Sequence, residues 1–376
     1  MKILIAIDSF KGALSSQEAG RAVERGILKL GKDTTVVCRV ADGGEGSCDA
    51  LAAAAGGVWK PYCCTDAFHQ VCEVRVLLFT KNGKTAAAIE AASIFGLHGH
   101  KVDRTTVKQT STYGLGVLMR KLREDGITDI IIFMGGTITS DGGLGMLQAL
   151  GVRMFDEQGA ELDSNENPLL RFHHLDKESL KSVQDSWKNI QLNVGCDVHN
   201  PLYGPDGCAF TFAAQKGADP DQIKQIDHQL RLVEQEVSLD LNQKYHGSGG
   251  GCAAGLRIIN ATLTSGFTVL NSYLKLEERI PDMDLVITGE GKIDSQSLQG
   301  KLPVRIAQMA NDAKVPVVAL CGQKDSDTGK LMDYFQGIYA IQTSPCTLQE
   351  AVTNTALHLE ESAFQLLHLL HRFRNR

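Results

Sequence analysis

The sequence has no long apolar run. No stretch approaches the roughly 20 residues that a membrane-spanning helix needs, so no membrane partner is expected. There is no G-x-x-x-x-G-K-[ST] run, which disfavours the P-loop nucleotidases. No G-x-G-x-x-G follows the first apolar run; Asp8-Ser9-Phe10 stands there instead, so a nicotinamide-dependent hydroxy-acid dehydrogenase ranks last. Ten cysteines are present but none in a C-x-x-C, and the adjacent Cys63-Cys64 cannot chelate a metal alone. They read as the reduced thiols of a cytoplasmic protein. His199 and the pair His173-His174 lack metal-ligand spacing and read as exposed, and His368 and His371, on the terminal helix, read as surface residues. Positive charge is not in excess: the net charge is -6, so nucleic acid is not an expected partner. The apolar run Ile3–Ile7 is too short for a secretory h-region.

What is present is ordinary globular composition, 43% hydrophobic and 22% charged. At roughly 150 residues per domain, 376 residues make about two domains. Lys2–Ile7 and Thr35–Ala41 read as strands, each followed by a helix, near Ser16–Leu30 and over Ser47–Ala55. Ser15 or Ser16 with Glu18 supplies an N-cap for the first. The same alternation returns late: strand Asp284–Thr288, helix Pro303–Asp312, strands Pro316–Cys321 and Gly337–Thr343, and one long helix Leu348–Arg374. That order implies a doubly wound parallel sheet of five strands. Between them, Cys72–Thr80 and Thr85–Ala91 flank Asn82-Gly83, a tight hairpin signal. A helix over Ser111–Glu124 and a strand over Asp129–Gly135 follow. The expected organisation is one α/β domain from residues 1–65 and 275–376, interrupted by a second mixed α/β domain at 66–274.

Several loops concentrate glycine with carboxylates. Asp42-Gly43-Gly44-Glu45-Gly46 and Asp141-Gly142-Gly143-Leu144-Gly145 each follow a strand and precede a helix. Free amides in the first turn of such a helix attract anions. An aspartate beside them suits a phosphate bridged by Mg²⁺. Thr288-Gly289-Glu290-Gly291-Lys292-Ile293-Asp294-Ser295-Gln296 leaves a strand at its carboxyl end, where open α/β sheets bind ligands. Ser248-Gly249-Gly250-Gly251 is small enough for close approach, or else a hinge. Asp8-Ser9-Phe10-Lys11 ends the first strand, and its lysine can neutralise a carboxylate or phosphate. Asp197 ends another strand as a candidate base, and Gln215-Lys216-Gly217-Ala218 ends a further short one.

Taken in order, these segments resemble the type-one glycerate kinases. The resemblance runs from Met1 to the terminal helix. It also takes in Glu90-Ala91-Ala92-Ser93, Thr110-Ser111-Thr112-Tyr113-Gly114, Gly135-Gly136 and Asn200-Pro201-Leu202. It implies a flavodoxin-like domain interrupted by a second α/β domain, with the active site in the cleft between them. It implies phosphoryl transfer from ATP to D-glycerate with Mg²⁺, forming 2-phosphoglycerate, or in some members 3-phosphoglycerate, in organic-acid catabolism. A non-catalytic hydroxy-acid binding protein is the alternative from another class. On this reading Asp197, or else Asp8, accepts the hydroxyl proton, and Lys11 or Lys216 holds the substrate carboxylate. Lys301 stabilises the transferred group, and Asp42 and Glu290 hold the metal. Ser9, Gly43, Gly44, Glu45, Gly135, Gly136, Thr137, Asp141, Gly142, Gly143, Ser248, Gly249, Gly250, Gly289, Gly291, Asp294 and Ser295 line the substrate and nucleotide. One segment departs from the family's usual Ser-Ala-Thr-Asn: here it is Thr137-Ile138-Thr139-Ser140. Such a change implies an altered substrate preference.

Overall fold

The computed structural model describes residues 1–97, 99–325 and 329–374. Its strands, in chain order, are β1 (Lys2–Ile7), β2 (Thr34–Val37), β3 (Val58–Thr65), β4 (Val71–Lys81), β5 (Lys84–Glu90), β6 (Asp129–Phe133), β7 (Met154–Phe155), β8 (His174–Leu175), β9 (Gln191–Cys196), β10 (Thr262–Ser265), β11 (Leu285–Ile293), β12 (Val317–Lys324) and β13 (Gly337–Ala340). The fold is mixed α/β. The chain divides into two compact units, one of Met1–Asp42 with Leu270–Arg376, the other of Gly43–Val269.

The first unit is built on a five-stranded sheet in the order β2-β1-β11-β12-β13, parallel throughout. β1 explains its own place. Ile3, Leu4, Ile5, Ala6 and Ile7 are all fully buried, as an unbroken apolar strand must be in a sheet covered on both faces. Ile3, Ile5 and Ile7 share a core with Ala19, Val23 and Ile27 of the helix Ser16–Leu28 and with Leu359, Ala363 and Leu367 of the helix Thr355–Arg374. The helix Leu302–Asp312 packs on β11 and β12. Ser15 caps the first helix in a capping box with Glu18. The terminal segment departs from the expected single helix. It breaks at Asn354 into Leu348–Thr353 and Thr355–Arg374. Both Thr353 and Thr355 turn their hydroxyls back onto carbonyls four residues earlier, Gln349 and Ala351. That competes with the regular ladder.

The second unit carries a six-stranded sheet, β10-β9-β6-β5-β4-β3, and a two-stranded one, β7-β8. β5, β6, β9 and β10 run parallel, and β4 and β3 return antiparallel. Asn82 and Gly83 join β4 to β5 with φ of 50° and 76°, as an Asn-Gly turn between twisted strands requires. β6 buries Ile130, Ile131, Ile132 and Phe133. The helix Tyr113–Glu124 lies against this sheet through Leu115, Leu118, Met119 and Leu122.

The unit junctions fall at 42/43 and 269/270, not at 65/66 and 274/275. Residues 43–65 belong to the second unit because β3 pairs along its whole length with β4, from Val58 opposite Leu78 to Thr65 opposite Val71. β3 escapes a reading by alternation because Lys60 and Pro61 interrupt it with two exposed residues. Proline is tolerated there because β3 is an edge strand. Gln215 and Lys216 likewise end no strand; they lie in a 3₁₀ turn, Ala214–Lys216.

Candidate active site

In the first unit β2 lies on one side of β1, and β11, β12 and β13 continue on the other. The strand order therefore reverses between β1 and β11, and loops leave their carboxyl ends in opposite directions. Open α/β sheets bind ligands at such a point. Asp8 follows β1 and donates its amide to the Gly289 carbonyl at 2.9 Å. Glu290 lies in β11, opposite Cys321 of β12. Asp42 closes the segment after β2. Burial first, and then the nearby Asp42 and Glu290, push the Asp8 carboxyl up to about 8. The Ser9 amide, 2.7 Å from Asp8 Oδ1, and Lys11 pull the other way. Burial also raises Glu290, against Lys301 and Ser297, while Asp294 adds to the rise.

The lysines compensate in part. Lys301 Nζ is 3.5 Å from Glu290 Oε2 and 4.0 Å from Asp294 Oδ1. Lys292 Nζ is 2.9 Å from Asp294 Oδ2. Lys11 is exposed. Asp42 and Glu290 still raise the proton affinity of Asp8, which a further cation would relieve. Among the described residues no three His, Cys, Asp or Glu side chains form a cage of their own. Ser297 is the residue that motif reading missed: it is fully buried, and its hydroxyl donates to Glu290 Oε1 at 2.8 Å. Ser295, named instead, is exposed. Gly289 is there for packing, since a Cβ would lie 1.9 Å from the Leu320 carbonyl oxygen. At Gly291 a Cβ would meet nothing closer than 3.9 Å.

In the second unit the parallel strands end along one edge. Asp197 follows β9 and is half-buried. A Cβ on Gly135 would lie 2.5 Å from Gly44 Cα and 3.0 Å from Asp197 Oδ2. One on Gly43 would lie 2.8 Å from Gly266 Cα and 3.2 Å from the Gly195 carbonyl oxygen. Glycine is therefore what lets the 43–46 loop cross the ends of β6 and β9 beside Asp197. Gly136, at φ 70°, and Glu45 are exposed.

The helix Ser47–Ala55 starts from Gly46 with no side-chain cap. Glu90, at the end of β5, takes that role, accepting the Cys48 amide at 2.7 Å. Burial raises the Glu90 carboxyl, and the amides of Cys48 and Gly46 draw it back down. Glu90 belongs to the motifs that carry the resemblance, but no pattern in its own segment assigns it this work.

The other two glycine-rich runs are not open to ligand. Asp141 is fully buried. It accepts the Thr112 amide and hydroxyl at 2.7 and 2.8 Å, the Gly143 amide at 3.1 Å and the Gly145 amide at 3.2 Å. Burial nonetheless leaves its carboxyl above the ordinary value. The first-turn amides expected to face a phosphate are thus taken by the loop's own aspartate. Gly142 N bonds to the Gly250 carbonyl at 3.1 Å. A Cβ on Gly250 would lie 2.0 Å from the Thr139 carbonyl oxygen, and one on Gly251 would lie 2.9 Å from Gly142 Cα. Gly250 and Gly251 therefore close on the 139–142 segment backbone against backbone, while Gly249 lies against the Met134 side chain and Gly143 against Gly255 and Cys252. Ser248, also buried, donates to the Val198 carbonyl at 3.2 Å.

Lys216 lies inside the same region. Its Nζ donates to the Thr139 carbonyl at 2.7 Å and reaches Thr137 Oγ1 at 3.4 Å. Burial draws the amine down to about 8, while Cys208, Asp197 and Asp141 pull it up. A lysine with 3% of its surface exposed does not greet a substrate carboxylate; it pins the 137–140 segment. Ile138, the departure from the family run, is fully buried and donates its amide to the Phe95 carbonyl at 2.9 Å. Its extra bulk goes into the core. The histidine expectation also changes at one point: His371 Nε2 is 2.7 Å from Asp33 Oδ2.

The chain matches the model of the Glycerate kinase family over residues 3–371. It belongs to the glycerate kinase family. It is 35% identical to glycerate 2-kinase of Escherichia coli K12, over 93% of each chain. With glycerate kinase of Bacillus subtilis 168 it shares 34% identity, over 96% of each. It is also similar to the crystal structure of a candidate glycerate kinase 2 from Salmonella typhimurium LT2, with a TM-score of 0.81, 32% identity and full coverage of both chains. As a glycerate kinase family member it is an enzyme, a kinase, and ATP is the cosubstrate that such a family implies. No helix among its described residues is long and apolar enough to cross a membrane.

Proposed function

We propose that the chain transfers the γ-phosphoryl group of ATP to D-glycerate, yielding 2-phosphoglycerate and ADP, in the cytoplasmic breakdown of organic acids. The observation that carries this reading is the Asp8 carboxyl at the strand-order reversal, raised to about 8 by burial and by Asp42 and Glu290 beside it. The order β2-β1-β11-β12-β13 also supports reading this unit as flavodoxin-like.

Phosphoryl transfer depends on positioning and charge neutralisation more than on covalent chemistry. The donor set fits Mg²⁺, a hard cation commonly held by one or two carboxylates together with substrate phosphates. Asp42 and Glu290 would hold it, with Asp8 beside them. Bound there, Mg²⁺ neutralises charge on the phosphates. Ser297 orients the Glu290 carboxylate and favours its charged form against burial. Lys301 is close enough to that carboxylate to share its charge with the transferred group. Lys11, exposed past the end of β1, receives the substrate carboxylate. Lys216, being buried, does not. Asp197 accepts the proton of the attacking hydroxyl, a role worth about 10²–10⁴-fold in rate.

The test is turnover of ATP with D-glycerate and Mg²⁺, with product read by enolase without added mutase. Direct conversion by enolase supports 2-phosphoglycerate. Conversion only after mutase addition means 3-phosphoglycerate. Full turnover by Asp197→Asn removes Asp197 as the base.

A further inference from the structure

The segment 58–81 carries three cysteines that the phosphoryl-transfer reading does not use. Cys63 points outward from β3 and is exposed. Cys64, next along the strand, points to the opposite face and is buried; Cys72 of β4 is half-buried. Cys64 and Cys72 are direct partners across the antiparallel ladder. Their sulfurs stand 3.7 Å apart.

The ladder holds this approach rather firmly. Asp66 donates its amide to the Gln70 carbonyl at 2.8 Å. The Asp66 carboxylate accepts the amides of Phe68 and Gln70 at 2.8 and 2.9 Å, which closes the turn. The Ala67 carbonyl in turn receives the Ser111 amide at 3.0 Å. Directly opposed residues of an antiparallel pair have Cα atoms about 4.5–5.5 Å apart. A disulfide needs about 4.4–6.8 Å between Cα atoms and about 2.05 Å between sulfurs. The backbone therefore already meets the requirement, and only the side chains must turn.

We propose that Cys64 and Cys72 form a modification site, closing to an intramolecular disulfide by exchange with a low-molecular-weight disulfide. The more open Cys72 reacts first. Its thiolate attacks one sulfur of R–S–S–R; that bond breaks, and RS⁻ leaves and takes up a proton. Cys64 gives its proton to water and attacks the Cys72 sulfur, expelling the second RS⁻, which is protonated in turn. The protein loses two thiol hydrogens and gains one S–S bond, and one R–S–S–R becomes two RSH. Burial raises both thiols, Cys64 to about 12. Little thiolate is present, so the first attack is slow. The second step is fast by comparison, because the attacking sulfur is already in place.

The experiment treats the folded full chain with oxidised glutathione, then denatures in acid, alkylates the remaining thiols and maps peptides by mass spectrometry. A Cys63→Ser background removes the neighbouring thiol as an alternative partner. The expected result is a Cys64–Cys72 link without glutathione on either. In Cys64→Ser, Cys72 should instead retain glutathione, with a far-ultraviolet spectrum confirming that the variant folds. The proposal is overturned if Cys72 keeps glutathione while Cys64 is still alkylated. It is equally overturned if both remain alkylatable in protein whose exposed Cys346 has been modified.

Discussion

Ser297 and Glu290 meet across the end of β11, hydroxyl to carboxylate at 2.8 Å, with Lys301 closing on the other carboxylate oxygen at 3.5 Å. One oxygen is thus oriented by a buried hydroxyl and the other faces a partly exposed ammonium. If Glu290 holds the metal, Ser297→Ala should weaken Mg²⁺ binding by about 10–100-fold, the usual loss when an outer partner of a ligand is removed. The dependence of turnover on Mg²⁺ concentration measures it. An unchanged Mg²⁺ requirement would remove Glu290 from the metal site.

Asp8 predicts an unusual pH dependence of stability. Its folded carboxyl titrates near 8, above the ordinary value of 3.8. Between those values the folded chain keeps a proton that the unfolded chain has released, so stability falls as pH rises through that window. In metal-free protein, Asp8→Asn should therefore gain on the parent as pH climbs from about 4 to 8. Mg²⁺ should shrink the difference. Thermal melts in chelator across that range test both statements.

The Asp33 carboxylate runs the opposite way. It joins the Met1 ammonium at 2.8 Å and His371 at 2.7 Å, tying the chain's first residue to its last helix. Burial pushes its carboxyl up, but Met1 and His371 outweigh that and hold it below the usual range. This stabilisation is complete above the unfolded carboxylate pKa and is lost as pH falls through the lower folded value. Asp33→Asn should cost about 2 kcal/mol at pH 7, in line with hydrogen bonds to charged groups. Denaturant unfolding should show the gap closing in acid.

Gly250 and Gly291 should differ sharply under the same change. Gly250 has φ 65° and would place a Cβ 2.0 Å from the Thr139 carbonyl oxygen. Gly250→Ala should cost about 3 kcal/mol or more through strain and displaced backbone. Gly291→Ala meets only ordinary contacts and should change stability by less than about 0.5 kcal/mol. Any loss of turnover in it then reports on the space beside Glu290. Chemical denaturation of both variants settles the comparison.

The sequence by itself determined what depends on neighbours along the chain. The apolar run of β1, the Ser15 cap, the Asn82-Gly83 turn and the order of acidic, glycine-rich loops are all local patterns, and each follows from period or φ. The missing G-x-x-x-x-G-K-[ST] run likewise disfavoured a P-loop. Only the tertiary structure decided which of these loops stay open. The glycines at 142–143 and 249–251 look like phosphate cradles until the Asp141 carboxylate accepts the Gly143 and Gly145 amides and Gly250 and Gly251 close on the 139–142 backbone. Lys216 looks like a substrate cation until burial places its amine on Thr139. Glu90 and Ser297 carry no motif of their own, yet one caps a helix and the other orients a carboxylate. A hydrogen-bonding group does not reveal its partner by type or spacing alone. Whether an amide or a lysine remains free for ligand depends on what distant segments bring to it, and that is set when the sheets pack.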